Sequence, residues 1–84
     1  MLVERVDEAV KVRADFQGGI ITPCRFRLRR QDVQVARVNA RWEDREGQDK
    51  IYYFSITSSS GDTYELHLAS RNMIWYVDRV FMDG

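Results

Sequence analysis

"IYYFSITSSSGDTYELHLA", residues 51–69, decides the fold class. Two runs rich in β-branched and aromatic residues flank a short polar turn that carries Gly61, the signature of an antiparallel hairpin. In the second arm Tyr64, Leu66 and Leu68 share one face, while Thr63, Glu65 and His67 share the other. That spacing of two is the period of a strand with one buried side.

The same period extends in both directions. "AVKVRADF" (9–16) sets Val10, Val12, Ala14 and Phe16 against Lys11, Arg13 and Asp15, and "QGG" closes it. The preceding Val3, Val6 and Val10 fit an extended lead-in, the preferred reading, or one side of a short helix. "TPCRFRLRR" (22–30) turns Phe26 and Leu28 inward, with Pro23 confined to a strand start or an edge because it has no amide hydrogen. "RQD" then turns the chain. "VQVARVNARW" (33–42) begins with Val33 and Val35 in phase but continues as Ala36, Val38, Ala40 and Trp42, so a bulge or bend is expected near Val35. "EDREGQDK" (43–50) has no apolar residue and reads as an exposed loop. After "SRN" (70–72), "MIWYVDRVF" (73–81) is the last strand, with Trp75 and Val77 inward. Six strands with short connections predict an all-β fold, a small antiparallel meander curled into a partly open β-barrel. The alternative is an α+β sheet with one short N-terminal helix.

Composition narrows the chemistry. Eighty-four residues, 44% of them apolar, make a single folded domain over 1–84. Thirteen basic and thirteen acidic side chains cancel, which excludes strong long-range attraction of the whole molecule to a polyanion. Cys24 is alone, so no intrachain disulfide forms, and no signal peptide or long apolar run is present; a cytoplasmic protein without a membrane partner is expected. One histidine and one cysteine are too few for a His/Cys metal site, and neither "QGG" nor "SSGD" is long enough to cradle a phosphate. A Cys24–His67 nucleophile and base would need direct contact; the plainer reading is a small, partly buried Cys24 and a His67 on the outer face of its strand. No catalytic residue, metal or cofactor is expected.

Charge is nevertheless uneven. Residues 25–41 hold Arg25, Arg27, Arg29, Arg30, Arg37 and Arg41 against only Asp32, and residues 43–49 hold Glu43, Asp44, Glu46 and Asp49 against Arg45. On a strand, Arg25, Arg27 and Arg29 would project from one face about 6.5–7 Å apart, a spacing along which an extended backbone can track. Stacking platforms would come from Tyr52, Phe54 and Tyr76 on outer faces, with Tyr53 and Trp75 interior; a one-residue change of phase exchanges these roles. The expected partner is therefore anionic, with single-stranded nucleic acid as the lead case. The plainer alternative is a solvated strand face paired with Glu65, Asp15 or the acidic segment, in a monomer or weak homodimer that meets another protein.

Taken together, "PCRFRLRRQDVQVARVNARW", "YYFSITSSSGDTYELHL" and "WYVDRV" resemble a family of small bacterial β-rich domains of unknown function, over about residues 8–81. The matching positions are Pro23, Phe26, Val35, Val38, Trp42, Tyr53, Gly61, Tyr64, Leu66 and Trp75. Nearly all are core or turn residues, so the resemblance implies a fold and carries over no active site. Similar domains are sometimes associated with bacterial DNA-repair polymerase systems, which implies a DNA-linked role. Similar sequences tend to have tryptophan and glycine where this chain has Leu28 and Arg30, so the turn after the second strand is expected to differ.

Overall fold

A computed structural model describes residues 1–82. Period-two patterning yields six strands in chain order: β1 (Leu2–Gln17), β2 (Ile20–Leu28), β3 (Gln31–Glu46), β4 (Asp49–Ser58), β5 (Thr63–Ala69) and β6 (Ile74–Met82). Each pairs antiparallel with its neighbour in sequence, and β1 also pairs with β6, so the meander closes into a ring. The N-terminal segment is extended rather than helical, and no helix occurs among the described residues.

β1 and β3 are long enough to serve two sheets. The first half of β1 pairs with β6 and its second half with β2. β3 pairs with β2 only over Gln31–Gln34, then with β4 from Val35 to Glu46. One sheet is thus three-stranded (late β1, β2, early β3) and the other five-stranded (early β1, β6, β5, β4, late β3). The expected partial opening survives as a weak seam: beyond the short β2–β3 ladder, Ile20–Cys24 and the long edge of β3 face each other unpaired.

The core between the sheets holds Phe26, Phe54, Ile56, Leu66, Leu68, Trp75, Val77 and Val80, with Val6. Pro23 is buried in mid-β2 beside a bulge at which Arg13↔Arg25 is followed by Ala14↔Pro23. It lies on the stretch that has no β3 partner, where a missing amide hydrogen breaks no ladder.

Four expectations change. β3 does bulge near Val35, but a second bulge falls at Asn39. Each bulge exchanges faces, so Ala40 and Trp42 point outward instead of inward. Phe16 keeps the inward phase yet is 62% exposed, next to the β1–β2 turn. The segment 43–50 is exposed over 43–48 and half-buried at Asp49 and Lys50, and is a hairpin, with β3 and β4 paired as far as Glu46↔Asp49. The turn after β2 is Arg29–Arg30, not "RQD": Leu28↔Gln31 closes a two-residue loop, and both arginines have positive φ, 49° and 69°.

Such loops need a left-handed backbone at both positions to match strand twist. The first hairpin meets that need with Gly18 and Gly19. The second places arginines there, at a cost of about 1 kcal/mol each, and offsets it with contacts: Arg29 reaches Glu4 and Glu8 on β1, and Arg27 donates to the Arg30 carbonyl.

Candidate functional site

Alternation on β1 and β2 puts Val12 and Phe26 inward, which turns Lys11, Arg13, Arg25 and Arg27 outward on the three-stranded sheet. Register then sets Lys11 directly opposite Arg27 and Arg13 directly opposite Arg25. Like charges so placed destabilise a sheet. Arg27 has a partner in Asp32 at 3.1 Å. Among the described residues, no carboxylate lies within ion-pair distance of Lys11, Arg13 or Arg25; Asp15 sits at the end of the face, where the Cys24 thiol donates to it at 3.6 Å. The like-charged cationic pair Arg5↔Arg79 is built differently: Asp7 pairs with Arg5, and Glu65 with Arg79.

The six arginines singled out in the sequence do not form one surface. Arg25 and Arg27 lie on this face, and Arg30 borders it, sharing a shallow groove with Lys11 and Arg27. Arg29 folds away, with Nη1 2.8 Å from Glu4 and Nη2 2.8 Å from Glu8. Hydrogen bonds to those two carboxylates raise its pKa, so its charge is already committed. Arg37 lies on the outer face of the five-stranded sheet and donates to Asn39 at 2.9 Å. Arg41 pairs with Phe54 on the inner side of β3 and spans the seam, donating to the Ile21 carbonyl and the Thr22 hydroxyl. Lys11 and Arg13, which complete the face, were legible as the polar phase of "AVKVRADF"; what the sequence withheld was their register against β2.

The aromatic assignments on β4 are reversed. Phe54 is buried, Tyr52 shares its inner face, and Tyr53 points outward. The sequence carried the signal: Tyr53 has the parity of Ser55 and Thr57, whereas Phe54 has the parity of Ile56. Trp75 is interior and Tyr76 outward, in the expected phase. Trp42, Tyr53, His67 and Tyr76 are successive cross-strand partners over β3, β4, β5 and β6. Their ring centroids are separated by 5.4, 5.6 and 4.7 Å, forming one row on the outer surface. The row continues to Ala9 on β1, opposite Tyr76, and one step along that face of β1 is Lys11. Aromatic row and basic face therefore adjoin along β1.

Within the row His67 Nδ1 lies 2.7 and 2.9 Å from the two Asp78 carboxylate oxygens, which fixes the ring's orientation. Cys24 bonds instead to Asp15 and the Thr22 carbonyl, so the structure brings no Cys24–His67 pair together. Among the described residues no cluster of His, Cys, Asp and Glu has metal-binding geometry.

Burial raises the pKa of the Tyr53 phenol, with Asp44, Asp78 and Glu46 adding to it; burial likewise raises that of Tyr64, with Asp62 and Glu4 adding. The folded chain thus holds both protons more tightly than the unfolded chain does. The stability they contribute is complete below about pH 10, the ordinary tyrosine value, and is lost as pH rises through the higher folded values. The urea midpoint is expected to fall above that pH, and to fall less steeply in Tyr53→Phe/Tyr64→Phe. An equal slope in the two proteins would refute this assignment.

No family model, curated protein or solved structure matches the chain.

Proposed function

We propose that this protein is a small binding module for single-stranded nucleic acid, which it contacts through the basic face of its three-stranded sheet. One observation carries the reading: two like-charged pairs stand directly opposite each other on one face, with Asp32 the only carboxylate in ion-pair contact with them among the described residues. A face of that kind is relieved by an external polyanion whose phosphates lie between the cations. The adjoining row of rings supports an unpaired strand over a duplex, because it ends in the exposed Trp42, on which an unpaired base can stack. Arginine suits phosphate through its planar fork of donors. The proposal includes no catalytic step and no cofactor.

The test is an amide chemical-shift titration with a mixed single-stranded oligonucleotide at low and moderate salt. Shifts centred on residues 11–13, 25–27 and 30 that fade as salt rises are expected. No shifts at either salt, with shifts on addition of a protein partner at the exposed β3 edge, would favour a protein-interaction module instead.

A further inference from the structure

The aromatic row ends in an open ring face. We propose that this face, Trp42 at the β2–β3 seam, stacks one unpaired base of the strand whose phosphates lie on the basic face. This rests on the function proposed above and adds where a base is held.

The Trp42 and Tyr53 planes lie within 5° of each other at a centroid distance of 5.4 Å. Near-parallel rings that close are offset-stacked, so their faces look along the row rather than out to solvent. Tyr53 covers one face of Trp42. Beyond Gln34, β3 has no strand on its other side, so the far face of Trp42 meets none, and the residue keeps 42% exposure. A hollow of about 200 Å³ at the seam is lined by Trp42, by Ile20 and Ile21 from β2, and by Tyr52, Tyr53 and Phe54. Ile20 is itself 56% exposed, an aliphatic surface open to solvent. A hollow bordered by an aromatic and an aliphatic side chain is suited to a flat ring.

Polar groups at the mouth suit a base edge. Arg41 donates through Nε and Nη2 to β2 and leaves Nη1 without a partner among the described residues. Glu43 supplies an acceptor, held among the described residues only by Lys50 at 3.7 Å. Together with Asp44 and Glu46, Glu43 disfavours a phosphate beside Trp42, so the ring and not the backbone is the part of the strand that fits. The phosphates are served by Arg25 and Arg27 on the same β2 strand. Ile20 lies five residues from Arg25, about 16 Å along β2.

The experiment compares oligothymidylate with an abasic phosphodiester chain of equal length, using tryptophan emission and affinity at several salt concentrations. Trp75 is buried, so quenching reports on Trp42. Oligothymidylate is expected to quench emission and to bind about tenfold tighter than the abasic chain. Trp42→Leu should erase that advantage while keeping salt-dependent binding of the abasic chain, and Trp42→Phe should restore part of it. Lys11→Glu/Arg13→Glu should lose both chains. Equal affinity for the two chains, or an unchanged preference in Trp42→Leu, overturns the base slot and leaves the polyanion face standing. Binding of neither chain overturns the function itself and the slot with it. Emission that changes with protein concentration alone would place a second copy on Trp42 and also overturn the proposal.

Discussion

Replacing Phe26 with alanine is expected to destabilise the fold by about 3–5 kcal/mol, the cost of emptying a fully packed aromatic site. Phe26 is 1% exposed and meets Tyr64 edge to face with centroids 5.1 Å apart. It is the large side chain of the three-stranded sheet that enters the core of the five-stranded one, so its loss loosens the contact between layers as well as leaving a cavity. A chain of this length has a total stability on the order of 4–12 kcal/mol. The melting temperature should fall by roughly 15–30 °C, and the variant is expected to unfold in mild urea. Phe16→Ala is the matched control: the same residue type, exposed at a hairpin tip, should change stability by no more than about 0.5 kcal/mol. A Phe26→Ala cost under about 1 kcal/mol would show that β2 does not pack as described.

Lys11→Glu/Arg13→Glu is expected to move stability and binding in opposite directions. Both substitutions lie on β1 and both face arginines on β2, so two like-charged pairs become two opposite-charged ones. Each exchange is worth about 0.2–1 kcal/mol, and the urea midpoint should rise. Affinity for a single-stranded oligonucleotide at low salt should fall by about 100-fold or more. The slope of log affinity against log salt should flatten by roughly 1.4, since two phosphate contacts are lost and each contact to a single strand contributes about 0.7. A residue that serves only the fold does not behave this way. A variant that is more stable and binds undiminished would remove the basic face as a site, whereas loss of both properties would mean that the register differs.

Much of this was legible in the residues because a strand with one wet side writes its own pattern. The β4–β5 hairpin, the inward Tyr64, Leu66 and Leu68, the outward His67, and the bulge near Val35 all follow from period two and turn chemistry. The Tyr52–Tyr53–Phe54 run was readable too, had its parity been tied to Ile56 and to Ser55 and Thr57. Trp42 was not: the second bulge at Asn39 reverses its face, and a polar residue in an exposed strand gives no sign of one. Arg29 was also beyond reach, since a turn in left-handed conformation aims its side chain at Glu4 and Glu8, more than 20 positions away in the chain.

The sequence by itself determined the all-β class, the six segments, the meander order and the outward phase of Lys11, Arg13, Arg25 and Arg27, because each depends on neighbours within a few residues. Only the tertiary structure decided which cations stand opposite one another, which of them carboxylates already hold, and that four rings from four strands align into a row ending at the seam. Those are matters of register between strands, and one residue of slip or one bulge changes them while leaving every local pattern intact.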